Sequence, residues 1–149
     1  MTILTRPPNR GVGRFESTPE VQYLHGGMRV RLLADFVYHD STPRRWIAPK
    51  GLVSDGASIP REIWSTIGSP LGGPHFFGAL LHDARYRLGD CTKDEADLLL
   101  WDACLCGGCT ELQARIIAQA VAVAGYSAWN ENARKREVCS DMARLLEWA

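Results

Sequence analysis

The stretch His82-Asp83-Ala84-Arg85-Tyr86-Arg87-Leu88-Gly89-Asp90-Cys91-Thr92-Lys93-Asp94-Glu95-Ala96-Asp97 decides the fold of this chain. A helical pattern stops at Gly89, a residue type that accepts the left-handed conformation in which many helices end. Thr92-x-x-Glu95 then forms a capping box, in which the Thr hydroxyl and the Glu carboxylate satisfy orphan amides of a new first turn. Two helices joined by so short a connection are neighbours, most simply antiparallel. The first is predicted over 75–88, with Phe76, Phe77, Leu80, Leu81 and Ala84 apolar. The second is predicted over 93–106, carries Ala96, Leu99, Leu100, Ala103 and Cys104, and ends at Gly107-Gly108. Their apolar faces must meet. His82 and Asp97 flank those faces, which makes a hydrogen bond between them an expectation.

The pattern continues on both sides. Thr110-x-x-Gln113 is a second capping box. Its helix, 111–124, buries Ile116, Ile117, Ala120, Val121 and Ala124 and runs into Gly125, read as a left-handed terminal residue. Residues 126–137 and 140–148 continue helically. Upstream, Pro60 can open a short helix through Trp64. Before that the texture is extended. Met28, Val30, Leu32, Ala34, Phe36 and Tyr38 alternate with Arg29, Arg31 and Asp35, as in one half-buried strand. Asp40-Ser41-Thr42-Pro43 is turn chemistry, 45–49 reads as a second strand, and Lys50-Gly51 turns the chain into 52–54. No helix separates the strands, which excludes a doubly wound parallel sheet. The predicted class is α+β: a small N-terminal antiparallel β-sheet over 28–54, then a C-terminal half of three to five α-helices from about residue 60 onward. Residues 1–27, interrupted by Pro7, Pro8, Gly11, Gly13, Pro19, Gly26 and Gly27, read as an irregular arm with one short strand near 21–24. A single α+β domain over 28–149 follows it.

Composition narrows the function classes. The chain has 149 residues, with 17 Lys plus Arg against 17 Asp plus Glu. That balance removes the basic excess on which nucleic-acid binding and polybasic membrane anchoring rest. Hydrophobic residues at 46% and charged residues at 23% fit a globular domain rather than a disordered one. No apolar run approaches the roughly 18 residues that span a bilayer. The start, Met1-Thr2-Ile3-Leu4-Thr5-Arg6-Pro7-Pro8, lacks the apolar core and cleavage site of a secretory signal. Five cysteines cannot all pair within the chain, and reduced thiols are the default without a signal peptide. Cys104, Cys106 and Cys109 are the weak candidates for a metal. Cys106-x-x-Cys109 has zinc-knuckle spacing, but the second half of a tetrahedral set is missing. No cofactor is expected, zinc or another divalent ion being the only alternative. In an oxidising particle the odd count permits a disulfide between chains.

Asp55-Gly56-Ala57-Ser58-Ile59-Pro60, then Trp64, then His82-Asp83-x-x-Tyr86, then Glu95-Ala96-Asp97 resemble a bacteriophage and prophage family classed as a domain of unknown function. Members share a strand, the Asp-Gly-(Ala/Thr)-Ser-Ile-Pro string, a helix with His-Asp-x-x-Tyr and a following helix with Ala-Asp. The resemblance covers roughly residues 28–130 and leaves out the cysteine cluster and the arm. It implies phage origin and carries no settled activity.

The residues themselves allow two chemistries. His82 and Asp83 point about 100° apart on a helix. Tyr86 lies on the His82 face, and His75 falls near it two turns earlier. With Asp97 opposite and Asp55 at a strand end, Asp55, His82, Asp83 and Asp97 would suit a divalent metal, or a carboxylate could orient His82 as a general base. The structural alternatives are equally concrete. Asp55, Gly56 and Ser58 can simply make a turn that caps the helix at Pro60. His82 can join two helices as a core histidine, Asp83 and Arg87 can be a solvent-facing ion pair, and Tyr86 and Trp64 can be packing residues. His-Asp-x-x-Tyr also resembles the helix of secreted phospholipases A2, whose cysteines and calcium loop are absent here. No phosphate loop, Gly-x-Ser-x-Gly elbow or His-Glu-x-x-His string is present.

The preferred reading is a small virion structural or assembly component of a phage tail, neck or baseplate. Its expected location is the virion, after synthesis in the host cytoplasm. Its expected partners are other virion proteins or further copies of itself, with no nucleic acid and no membrane. The Pro/Gly-rich arm and the C-terminal Leu145-Leu146-Glu147-Trp148-Ala149 would be the partner-binding elements. The alternative is a small metal- or His-dependent hydrolase of a phage lysis or entry module, with Asp55, His82, Asp83 and Asp97 as its site.

Overall fold

In the computed structural model, residues 3–26, 28–55, 61–67 and 71–147 are described. Six short strands come first: β1 (Arg14–Phe15), β2 (Val21–Tyr23), β3 (Val30–Leu32), β4 (Phe36–His39), β5 (Arg45–Ala48) and β6 (Val53–Ser54). A 3-10 turn (Arg61–Ile63) leads into α1 (Trp64–Ile67). Then come α2 (Phe76–Leu88), α3 (Lys93–Cys106), α4 (Glu111–Ala124), α5 (Tyr126–Val138) and α6 (Met142–Glu147). The protein is α+β, with its strands in the N-terminal half and its long helices in the C-terminal half.

The expected single sheet is two. One has the order β1-β4-β5 and the other β2-β3-β6, and every pairing is antiparallel. The alternating run 28–38 is therefore not one strand. After Leu32 the chain bends, Leu33 donates to the Glu20 carbonyl at 2.8 Å, and the Asp35 carboxylate accepts the Lys50 amide at 2.8 Å. The bend hands β4 to the other sheet, where Phe36, Val37 and Tyr38 are all buried, so both faces of β4 are covered. Alternation marked the strand residues but not the bend, since Ala34 continues the apolar series through it; Leu33, apolar where the alternation asks for a polar residue, is its one local sign.

The arm is woven into both sheets. β1 pairs with β4 and β2 with β3. The Phe15 ring stands 5.3 to 5.4 Å from those of Phe36, Tyr38 and Phe77. At the far end of the arm, the Gln119 side chain grips both backbone groups of Leu4, accepting its amide at 3.1 Å and donating to its carbonyl at 2.6 Å. The division at residue 28 is thus no packing boundary. The contacts that erase it join residues far apart in sequence.

The helical half follows its local signals. Both capping boxes form, with Glu95 and Gln113 donating amides to the Thr92 and Thr110 hydroxyls at 3.1 Å. α3 and α4 have the predicted limits, and α2 starts one residue later than predicted and stops at Gly89 in the left-handed conformation. Gly125 departs from expectation. Its φ is −78°, and it is shared by the end of α4 and the start of α5. It is needed for space rather than for a positive φ: a Cβ there would lie 2.4 Å from the Val121 carbonyl and 2.5 Å from the Tyr86 hydroxyl.

α2 is the central element. Of its 13 residues, only Phe77 and Leu88 are not buried. Gly78 lies against Leu100 and Ala103 of α3, while His82 and Tyr86 reach Asp97, which fixes the two helices as antiparallel. One apolar cluster joins the sheets to α2 and α3 through Phe36, Trp46, Leu80, Leu81 and Leu99. A second joins α3 to α4 through Leu100, Cys104, Ile117 and Val121.

Candidate functional site

The four candidate residues Asp55, His82, Asp83 and Asp97 fall into two pairs on different sides of α2. The first pair is His82 with Asp97. Nε2 of His82 lies 2.8 Å from Oδ1 of Asp97, and both side chains are fully buried. The same Oδ1 accepts the Tyr86 hydroxyl at 2.8 Å, and Oδ2 accepts Lys93 Nζ at 2.7 Å. Lys93 also donates to the carbonyls of Ala122 at 3.1 Å and Val121 at 3.3 Å, and it sits over the Tyr126 ring. It thus neutralises the C-terminal end of α4, where carbonyls lack helical partners. Burial opposes the charge on Asp97, but the bonds from His82, Lys93 and Tyr86 outweigh it and hold the carboxyl below its ordinary range. Burial, then the nearby Asp97 charge, pushes the Tyr86 hydroxyl upward, which keeps it a neutral donor. The His82 ring lies tilted against Tyr86 with centroids 4.2 Å apart, and Trp129 of α5 meets Tyr86 edge-on at 5.0 Å. Nδ1 of His82 is enclosed, with no hydrogen-bond partner among the described residues.

Three of these participants were legible. Tyr86 follows His82 by four residues, and Asp97 faces both. Lys93 escaped notice although it precedes Asp97 by four residues on one helix, a spacing that brings opposite charges together.

The second pair is Asp55 with Asp83. Asp83 accepts a hydrogen bond from the Ser54 hydroxyl at the end of β6, both side chains being buried. Arg87 lies within electrostatic reach of Asp83 and Asp55, and it donates to the Leu146 carbonyl of α6 at 2.9 Å. Burial lowers the Arg87 pKa from its ordinary value, and the two carboxylates pull it back up. The predicted solvent-facing Asp83–Arg87 pair is therefore an interior one, because α6 and the β6 end close over that side of α2. Ser54 was not anticipated, and no periodic signal marks a two-residue strand.

The remaining predicted residues disperse. Trp64 is half-buried on α1 with Arg61 over its ring. His75 is fully buried at the start of α2. Gly56, Ser58 and Pro60 lie outside the described residues, as does Trp148. The cysteines do not converge as Cys106-x-x-Cys109: Sγ of Cys106 turns to the Gly13 carbonyl at 3.6 Å, whereas Cys109 packs with Cys104. Among the described residues no group of three or more His, Cys, Asp or Glu side chains is arranged to hold a metal ion. No described helix is long and apolar enough to cross a membrane.

Residues 30–121, which contain β3 through most of α4 and both halves of the His82–Asp97 joint, match the family described as Protein of unknown function (DUF1353). The chain belongs to this family. Among curated proteins it is similar to the Uncharacterized protein y4jT of Sinorhizobium fredii, at 37% identity over 73 residues. That match takes in 48% of this chain and 22% of the rhizobial protein, so this DUF1353 chain spans under a quarter of its relative's length. No solved structure matches it.

Proposed function

We propose that the protein is a bacteriophage component, a small structural or assembly protein of the tail, neck or baseplate that works through protein–protein contacts. The observation that carries this reading is where the motif side chains point. His82 and Asp97 are fully buried, Tyr86 is 3% exposed and Asp83 6%. Each is bonded to protein groups that join helices or close a strand end. Residues spent in this way hold a shape, and the shape is then what the chain presents to partners. The resemblance to a phage and prophage family supplies the setting, with other virion proteins or further copies of this chain as partners.

A hydrolase is the second reading. It is favoured by Arg87 lying within electrostatic reach of Asp55 and Asp83 near Ser54, which gathers two of the three proposed carboxylates at the end of β6.

Mass spectrometry of particles purified from bacteria that carry the gene separates the two. A virion component appears at a fixed copy number relative to the major capsid protein. Absence from otherwise complete particles would overturn the structural reading.

A further inference from the structure

The end of α3 brings two thiols together by a local backbone motif. The Cys109 amide donates to the Cys104 carbonyl at 2.9 Å, and the Gly108 amide donates to the Leu105 carbonyl at 3.2 Å. Gly108 sits at φ +104°, where a side chain would be strained. This pair of bonds is the Schellman arrangement, which usually carries an apolar contact between the two residues joined by the longer bond. Here both of those residues are cysteines. Cys104 is fully buried and Cys109 is 8% exposed, and both belong to one apolar cluster. The path from one Cα through the carbonyl, the hydrogen bond and the amide nitrogen to the other Cα is about 6.8 Å at most once the bend at the carbonyl carbon is counted, which is within disulfide reach. Cys106 lies between them in sequence but turns away to Gly13.

We propose that Cys104 and Cys109 form a dithiol–disulfide redox site that exchanges with low-molecular-weight disulfides. Cys109 is the attacking thiol. It stands at the rim and immediately precedes the Thr110 cap, where the N-terminal amides of α4 favour an anion. The two thiols act on each other so that Cys109 is held below the ordinary thiol range, while the same interaction and burial hold Cys104 above it. The Cys109 thiolate attacks one sulfur of the reagent, the reagent's S–S bond breaks, and one thiolate leaves. Cys104 then loses its proton, attacks the Cys109 sulfur and expels the second thiolate. The protein dithiol is oxidised by two electrons, the reagent is reduced to two thiols, and the two protein protons go to them. The product bridges α3 to the start of α4.

The test uses the full chain in native buffer with hydroxyethyl disulfide, followed by acid quenching, unfolding, alkylation and tryptic mapping. The fragment 94–115 is expected to carry a Cys104–Cys109 bridge with the alkyl label on Cys106 alone, and dithiothreitol should restore all three labels. Cys104→Ser should stop at a stable mixed disulfide on Cys109, and Cys109→Ser should leave Cys104 unreacted. Labels on all three cysteines, or a bridge from Cys106 to Cys109, would overturn the assignment. Cys106→Ser leaves the buried pair untouched and must still yield the bridge, even if replacing a buried thiol prevents folding.

Discussion

Two aspartates on α3 gather their partners in opposite ways. Asp97 draws on His82, Tyr86 and Lys93, none more than 15 residues away and all on α2 or α3 itself. Asp102 draws on Arg6 and Arg10 of the arm, 96 and 92 residues away, at 2.7 and 2.5 Å. Both carboxylates are fully buried, but their partners differ. Lys93 is 8% exposed and His82 not at all, whereas Arg6 and Arg10 are 13% and 17% exposed. Asp97 is therefore an interior joint between helices, and Asp102 is a clasp that holds the arm from the rim. The difference sets the cost of losing each one. A buried cation stripped of its partner stays in a low-dielectric interior, while a rim guanidinium can swing into water.

The largest effect is expected for Asp97→Ala. It leaves Lys93 with two helix-end carbonyls and the Tyr126 ring but no countercharge, and leaves His82 and Tyr86 without an acceptor. A loss of about 3–5 kcal/mol in urea unfolding is expected. A loss near that of a neutral surface change, roughly 0.5 kcal/mol, would show that the joint carries no net stability and would break the contrast.

His82→Ala is expected to cost less, about 1–3 kcal/mol, because Asp97 keeps Tyr86 on one oxygen and Lys93 on the other. Thermal unfolding beside wild type measures it. The same variant also separates the functional readings. A catalytic His82 would leave the melting temperature unchanged while abolishing activity, so an unchanged melting temperature would favour the hydrolase.

The same contrast explains what the sequence made legible. The limits of α3 and α4 were readable because each starts at a capping box complete within four residues and ends at a glycine. The His82–Asp97 joint followed because the connection between α2 and α3 is too short to let their apolar faces part. Every Asp102 contact was invisible, since nothing in the local sequence near Arg6 points to a residue 96 positions on. The bend between β3 and β4 was hidden for another reason: the bonds that fix it use backbone groups of Leu33, Glu20 and Lys50, which no side-chain pattern marks. Asp83 and Arg87 were placed on the wrong side of the water boundary because a helix buried all round shows no polar face, and covering elements such as α6 arrive from far along the chain.

The smallest effect is expected at the clasp. Arg6→Ala removes one bond to Asp102 and two from Arg6 to the Arg10 and Gly11 carbonyls, each 2.9 Å long. Asp102 keeps Arg10, and Leu4 keeps its double link to Gln119. Global stability should fall by only about 1 kcal/mol, the net worth of a hydrogen bond whose donor retains some access to water. The informative readout is local. Hydrogen exchange at the Arg10 amide, which bonds the Pro7 carbonyl at 3.2 Å, should quicken, while amides in the middle of α2 and α3 keep wild-type protection. An interior joint would behave differently, because its loss loosens the helices it connects. If Arg6→Ala lowered protection along α3 as far as Asp97, the two aspartates would belong to one cooperative unit, and the distinction between joint and clasp would collapse.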